Sequence, residues 1–371
     1  MEKNTTHVGL DAHQDTIMVG FLEPGSEVAG TWQIKHTEKD VQKMVTKIVK
    51  EAPGPVEFCY EAGPCGYALQ RNIQKLKARC IVVAPSLIPV KAGDRVKTDR
   101  RDAKKLALYL RKGLLTEVHP PTEKEEAVRD LCRCLEDAKE DRKRHLQRMD
   151  KMLLRLGYKV LGQRTTSAKY RARLKTLTFD DANHQKVFDV YLRDIEHSDE
   201  VIVELTAALE KASQEKPYAE PVARLRCLRG VDTLTAMTIV AELFRFERFT
   251  SPRQLMAYLG LTVSERTSAD QVVRGGITKT GNSHVRRVLV EAAWHYLHKP
   301  RPSTAIRKRR EGQPGWVVAI AEKAASRLHR RFHHLCNRNL RRSKAAVAVA
   351  RELAGFVWAT LQKHAPETAK A

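Results

Sequence analysis

The most informative segment of the sequence reads Lys97-Thr98-Asp99-Arg100-Arg101-Asp102-Ala103, and it begins a helix-forming run over residues 99–112. Asp99 and Asp102 are three residues apart, a spacing that places both side chains on one face of a helix. Two neighbouring carboxylates favour a hard divalent cation between them, because such cations take oxygen ligands. Arg100 and Arg101 project from other faces, where they can offset the repulsion or bind phosphate. An exposed acidic patch is the common alternative, so the interpretation depends on acids elsewhere in the chain.

The segments before this helix alternate between strand and helix patterns. Runs rich in β-forming residues and runs with helical periodicity are separated by turn residues such as Pro24-Gly25-Ser26. The predicted strands span residues 7–11, 16–23, 28–34, 56–60 and 80–84, and the predicted helices span residues 38–51, 66–76 and 99–112. The resulting order, βββ-α-β-α-β-α, is that of the ribonuclease H-like fold.

Two further acids lie at the ends of predicted strands. Asp11 ends the first strand and Glu61 follows the fourth. Strand ends at one edge of a sheet are a common place for an active site. Taken alone, Asp11 could be an ordinary turn residue, and Glu61 could be an exposed acid at a strand end. Together with Asp99 and Asp102, however, they predict a site for two Mg²⁺ ions. Such a pair of ions can bind the attacking and leaving oxygens of a phosphoryl transfer.

The charge of the chain indicates a polyanionic partner. The 371 residues carry a formal net charge of +23, and 42% of them are hydrophobic, enough to form real cores. Residues 299–344 hold 14 Lys and Arg against two acids, a net charge of +12, which favours a nucleic-acid surface. The seven scattered cysteines lack the spacing of a zinc site. Without an apolar run of about 18 residues or a signal-peptide core, the expected location is the cytoplasm, with nucleoid association.

The remainder of the chain is predicted to be mainly helical. Apolar residues at spacings of three and four over residues 188–212 predict a coiled coil, antiparallel to a helix over residues 128–156. Residues 228–236 resemble a helix-hairpin-helix turn, although a plain turn between helices fits equally well. A polar loop over residues 262–282 precedes the basic tail. The predicted domains are therefore residues 1–118, 119–215 and 216–371.

Over essentially its whole length the chain resembles the DEDD transposases of bacterial insertion sequences, the insertion-sequence one-ten family of bridge-RNA-guided recombinases. Five motifs carry this resemblance: Val8-Gly9-Leu10-Asp11, Tyr60-Glu61-Ala62, Lys97 to Ala103 as quoted above, Tyr258-Leu259-Gly260-Leu261, and Ile277-Thr278-Lys279-Thr280-Gly281-Asn282. The resemblance implies that Asp11, Glu61, Asp99 and Asp102 bind Mg²⁺ in a RuvC-like domain. It also implies cutting and rejoining of element ends and target DNA, guided by a structured RNA, in a dimer or tetramer that the coiled coil could join.

The resemblance further implies a nucleophilic serine after Gly260-Leu261. The family has a proline two residues after Gly-Leu and a Ser-Gly pair five residues beyond it, and here Val263 and Ser268-Ala269 take those positions. Ser268 is therefore the assigned nucleophile, and Ser264 is its rival. A serine hydroxyl needs a base or metal for activation. Since neither His nor Lys adjoins Ser268, the acidic site of the same chain or of a second subunit is the predicted activator.

Twelve basic or polar residues are expected to contact nucleic acid: Arg100, Arg101, Lys279, Asn282, Arg286, Arg287, Arg307, Lys308, Arg309, Arg310, Arg330 and Arg331. Two other functions remain open at this stage. A RuvC-like nuclease would use the same four acids and hydrolyse DNA with water, whereas a non-catalytic scaffold would need only the basic helices. The presence of all four acids argues against the scaffold, and a covalent protein–DNA intermediate would separate the recombinase from the nuclease.

Overall fold

The computed structural model describes residues 4–89, 98–158, 168–268 and 271–362. The chain forms two compact units that meet in sequence between Pro121 and Thr122. This boundary lies close to the one predicted after residue 118, and the further division at residue 215 stays a prediction. Two residues of the sequence motifs, Lys97 and Ala269, lie outside the described residues.

Strands and helices alternate in the first unit, and helices dominate the second. The elements of the first unit are β1 (Thr6–Ala12), β2 (Thr16–Leu22), β3 (Gly30–Lys35), α1 (Glu38–Glu51), β4 (Val56–Glu61), α2 (Ala68–Lys75), β5 (Arg79–Val83), α3 (Asp99–Arg111) and β6 (Glu117–Val118). Those of the second are α4 (Glu123–Arg155), α5 (Ala168–Leu174), α6 (Ala182–Ala212), α7 (Ala219–Leu225), α8 (Thr233–Leu243), α9 (Pro252–Tyr258), β7 (Val263–Ser268), β8 (Gln271–Ile277), α10 (Ser283–Ala293), α11 (Thr304–Arg310), α12 (Gly315–Asn337) and α13 (Arg342–Leu361).

The sheet of the first unit has the strand order β3-β2-β1-β4-β5-β6. β1 pairs antiparallel with β2 and parallel with β4, and β5 continues in parallel beside β4. The predicted succession of strands and helices, and with it the ribonuclease H-like layout, is confirmed. β6 was not predicted, because a strand of two residues is too short to show a repeating pattern.

The two faces of this sheet have separate cores, because successive side chains on a strand point to opposite faces. Leu10 and Tyr60 pack on one face with residues of α1 and α2. Cys59 packs on the other face with Leu106 and Leu110 of α3. Helix α3 therefore covers the face to which the odd-numbered residues of β1 and β4 belong.

Two glycines let α3 approach the sheet closely. A Cβ on Gly9 would lie 2.4 Å from the carbonyl oxygen of Ala103, and a Cβ on Gly20 would lie 2.6 Å from the carbonyl carbon of the same residue. Ala103 and Ala107, both fully buried, form the facing surface of the helix. The position of α3, and of the acids in its first turn, thus depends on glycine at position 9 of β1 and at position 20 of β2.

The long helices α4 and α6 of the second unit run antiparallel. Leu135 shares a core with Leu209 near the end of α6, whereas Met149 and Leu153 pack with Phe188 near its start. α4 begins at Glu123, earlier than predicted, because Thr122 and Glu125 form a reciprocal capping box. The antiparallel arrangement agrees with the predicted hairpin, and supercoiling of the pair stays a prediction.

The predicted turn over residues 228–236 joins α7 to α8. Gly230 has a φ of +79°, a conformation that glycine adopts without steric cost, and a Cβ there would lie 2.5 Å from the carbonyl oxygen of Ala292. Asp232 accepts a hydrogen bond from the Thr235 amide and caps α8. This geometry suits both alternatives, the helix-hairpin-helix turn and the plain turn.

The prediction of an irregular loop over residues 262–282 is wrong for most of that length. β7 and β8 form an antiparallel hairpin that pairs Val263 with Ile277 and Ser268 with Gln271. Val263 and Val273 are exposed, and among the described side chains of the hairpin only Ile277 packs against the core. The sequence of the hairpin therefore shows no alternation of apolar and polar residues. Among the described helices, none has the length and apolar character that crossing a bilayer requires.

Candidate functional site

Asp11 and Glu61 lie side by side at the carboxyl edge of the parallel strands. The β1–β4 register pairs Leu10 with Tyr60, so the next residues, the two acids, stand at the same level on strands about 4.8 Å apart. Both continue the odd-numbered positions that α3 covers. The local fold therefore directs both carboxylates towards the side of the sheet on which α3 begins.

Asp99 and Asp102 lie in the first turn of α3. The buried stripe of this helix contains Ala103, Leu106 and Leu110, and the two acids extend the same stripe beyond the edge of the sheet. Thr98 caps the helix by accepting a hydrogen bond from the Arg101 amide. Carboxylates are favourable at a helix N-terminus because the backbone N–H groups there carry partial positive charge. Arg100 and Arg101 are exposed to solvent.

The carboxylates of Asp11 and Asp99 converge with the imidazole of His13. One ligand atom from each residue lies within 4.8 Å of the other two. His13 Nε2 is 3.5 Å from Asp11 Oδ2 and 3.7 Å from Asp99 Oδ1. Glu61 follows Tyr60 in the strand register beside Asp11, and Asp102 shares the first turn of α3 with Asp99, but neither belongs to the convergent group. His13 was not among the residues predicted from the sequence, although it lies two residues after Asp11, in the turn between two predicted strands.

The convergent group suits a divalent cation. Asp11 and Asp99 supply oxygen donors from two separate elements, which is the kind of ligand that Mg²⁺ binds. The Asp11 side chain is 22% exposed and that of Asp99 is 56% exposed. Water or phosphate oxygens can therefore reach the same point and complete a coordination shell.

Ser268 is the last residue of β7, at the end of the hairpin that is far from its base. The base is fixed by hydrogen bonds from the Thr278 amide to the Thr262 carbonyl, 2.9 Å, and from the Lys279 amide to the Gly260 carbonyl, 3.0 Å. Ser264 lies near this base, and its hydroxyl donates to the Gly276 carbonyl at 3.1 Å. The β7–β8 hairpin, which carries both serines, belongs to the second unit, whereas the four predicted metal-binding acids belong to the first.

A buried carboxylate fixes the residues that follow the hairpin. Glu242 of α8 has a side-chain exposure of 1% and accepts two hydrogen bonds from Arg133 of α4, at 2.7 and 3.0 Å. Asn282 donates to the same carboxylate at 2.7 Å, and its side-chain oxygen caps α10 at the Val285 amide. The position of Asn282, predicted to contact nucleic acid, thus rests on contacts within the protein.

A second link joins α4 to the start of α10. Glu136 accepts hydrogen bonds from Arg287 Nε at 2.6 Å and from His284 Nδ1 at 2.8 Å. Burial opposes the ionisation of Glu136, but the hydrogen bonds from Arg287 and His284 outweigh it and lower its pKa. Arg286 donates to the carbonyls of Leu259 and Thr280. Arg286 and Arg287 therefore have structural partners within the chain.

The remaining basic residues that are predicted to contact nucleic acid, Lys279 and those within residues 299–344, divide into two groups. Some have partners within the protein: Arg309 donates to the Val231 carbonyl, Arg310 donates to the Cys227 carbonyl and contacts Glu322, and Arg331 pairs with Glu352. Others are exposed, namely Lys279, Arg307, Lys308 and Arg330. This exposed group is the better candidate for a nucleic-acid surface.

Known transposases match the chain over most of its length. The family model described as "Transposase IS116/IS110/IS902 family" matches residues 222–307, and the DEDD model of IS110 transposases matches residues 8–157. The y4qE protein of Sinorhizobium fredii is 41% identical over 95% of this chain and 87% of its own length. The transposase for insertion sequence element IS1533 of Leptospira borgpetersenii is 34% identical over 90% of this chain and 97% of its own length. The segment over residues 8–157 contains the four acids, and the segment over residues 222–307 contains the β7–β8 hairpin with Ser268.

Proposed function

The chain belongs to the IS110/IS116 family of DEDD transposases, and from this premise we propose that it cuts and rejoins DNA with an acidic Mg²⁺ site and a serine nucleophile. Asp11, Glu61, Asp99 and Asp102 would hold two Mg²⁺ ions, which stabilise negative charge on phosphate oxygens when bound. The observation that carries this proposal is the convergence of Asp11 and Asp99 from two separate elements. The transposase relatives support an enzyme and not a non-catalytic scaffold.

The serine step exchanges one phosphoester for another. The Ser268 oxygen bonds to a DNA phosphorus atom, the bond from that phosphorus to a deoxyribose oxygen breaks, and the serine proton ends on the released sugar hydroxyl. The hydroxyl of an incoming strand reverses these steps at the same phosphorus. Rejoining then needs no ATP, since the energy of the phosphoester is retained.

The hairpin geometry favours Ser268 over Ser264 as the nucleophile. The Ser264 hydroxyl is engaged with the Gly276 carbonyl near the base of the hairpin. Ser268 stands at the opposite end of β7, beside the β7–β8 connection. A residue beside the connection of a hairpin can enter a DNA groove more easily than a residue at its base.

The proposed reaction involves DNA, a guide RNA and further copies of the chain. The element ends and the target DNA are the substrates, and a structured guide RNA selects them. The pair of long helices, α4 and α6, is proposed to act as a coiled coil that joins subunits in a dimer or tetramer. In this arrangement residues 119–215 link the metal-binding domain to the serine-bearing domain.

Removal of the metal tests the proposal. Asp11→Asn and Asp99→Asn should each abolish DNA cleavage, because an amide keeps the shape of the side chain and loses the charge that holds Mg²⁺. DNA binding, measured by fluorescence anisotropy, should persist in both variants. Asp15→Asn, at an exposed acid in the same β1–β2 turn, is the matched control. Full cleavage in EDTA would contradict the metal site.

A further inference from the structure

We infer that His13 is a further ligand of the metal site, binding the same ion as Asp11 and Asp99, and that the site therefore binds Mn²⁺ more tightly than Mg²⁺. This inference rests on the proposed metal site. It adds a nitrogen donor to a set that the sequence motifs describe as four carboxylates.

The three side chains reach a common point from three positions in the fold. Asp11 lies on β1, His13 lies in the turn after β1, and Asp99 begins α3. The imidazole Nε2 is nearly equidistant from the two carboxylates, at 3.5 and 3.7 Å. Cis ligands of an octahedral ion about 2.1 Å from each donor stand roughly 3 Å apart, so a small adjustment brings all three atoms onto one ion.

The backbone of His13 is held in place before any ion binds. Its amide donates to the Thr16 carbonyl at 2.9 Å, and its carbonyl oxygen lies 2.6 Å from Nδ1 of His36. The His36 amide in turn donates to the Asp15 carbonyl at 2.8 Å. The β1–β2 turn is therefore fixed on both sides, and this sets the backbone position from which the imidazole reaches the two acids.

The donor set decides which ion is preferred. Mg²⁺ takes oxygen ligands and gives up water reluctantly, whereas divalent transition ions accept imidazole nitrogen more readily. An Asp–His–Asp group therefore favours Mn²⁺, and removal of the nitrogen should reduce that preference. If His13 served only as a cation that pairs with the two acids, its removal would leave the preference unchanged.

Electron paramagnetic resonance of bound Mn²⁺ tests this inference on the full-length protein. Electron spin echo envelope modulation should show coupling to ¹⁴N in the wild type and in His119→Ala, a control at an exposed histidine of the same unit. The coupling should disappear in His13→Ala and His13→Gln. Mn²⁺ affinity should fall roughly tenfold or more, the scale on which the surroundings of a metal site act, whereas Mg²⁺ affinity, measured by competition, should change less.

The possible outcomes distinguish a failure of the His13 assignment from a failure of the proposed metal site. Bound Mn²⁺ without ¹⁴N coupling in the wild type, or coupling that persists in both His13 variants, overturns the role of His13 and leaves the proposed metal site standing. Mn²⁺ binding that is equally weak in wild type and Asp11→Asn overturns the metal site and this inference with it. Far-ultraviolet circular dichroism of the variants checks that the fold is retained.

Discussion

The Ser268 hydroxyl distinguishes a recombinase from a nuclease that uses the same four acids. Ser268→Ala should abolish the covalent protein–DNA adduct, visible as a slowly migrating band on a denaturing gel, because no oxygen remains to bond to phosphorus. Ser264→Ala is the matched control and should keep the adduct. Since a single serine hydroxyl contributes little packing energy, thermal unfolding of both variants should stay close to that of the wild type.

Three results would contradict the serine assignment. An adduct that persists in Ser268→Ala, or that mass spectrometry maps to Ser264, would place the nucleophile elsewhere. DNA cleavage by the wild type without any adduct would instead favour hydrolysis by water, as in a RuvC-like nuclease.

The positions of single residues were predictable where they depend on local sequence. The three-residue spacing placed Asp99 and Asp102 on one face of α3, and the strand pattern placed Asp11 near the end of β1. The structural role of Asn282 was not predictable, because its partner Glu242 lies 40 residues away in the chain. Arg287 and Glu136 are separated by 151 residues. Residues that look alike as surface cations thus differ in partners that only the tertiary fold brings together.

Close contact between α3 and the sheet gives a test of how the acids are positioned. Gly9→Ala and Gly20→Ala should each lower the free energy of unfolding by roughly 1–3 kcal/mol, the usual cost of overpacking, because the new methyl group meets the Ala103 backbone. Gly315→Ala, where a Cβ meets nothing within 4 Å, should change stability little. Urea denaturation measures the difference, and equal stability of all three variants would contradict the packing argument.

The hydrogen bonds between Arg133 of α4 and Glu242 of α8 give a test of how much a buried ion pair stabilises the second unit. Arg133→Ala should lower the free energy of unfolding by about 3 kcal/mol, because it leaves the buried Glu242 carboxylate without its cation. Arg144→Ala on the same helix removes an exposed ion pair with Asp141 and should cost less than about 1 kcal/mol. Similar losses for both variants in urea denaturation would show that burial of Glu242 contributes nothing.

Most helices and strands were predictable because they bury one face. The periodic stripe of α1 gave its observed bounds, Glu38–Glu51. The β7–β8 hairpin was missed because its described side chains are mostly exposed and show no periodic pattern, and the early start of α4 was missed because a capping box, not an apolar residue, determines it. Sequence patterns therefore predict elements that pack against a core better than elements that project into solvent.

The uneven distribution of the net charge of +23 gives a last test, of nucleic-acid binding. Each cation that neutralises a phosphate contributes about −0.9 to the slope of log affinity against log salt concentration. The double variant Arg307→Gln/Lys308→Gln should therefore make the slope shallower by about 1.8 if both side chains contact DNA phosphates.

The control is Lys39→Gln/Lys50→Gln, which removes the same charge from exposed positions of α1 and should leave the slope unchanged. Arg310→Gln should instead lower stability, because Arg310 donates to the Cys227 carbonyl. Fluorescence anisotropy titrations over a range of salt concentrations measure the slopes, and equal slopes for the wild type and the Arg307/Lys308 variant would mean that this basic segment faces solvent in the complex.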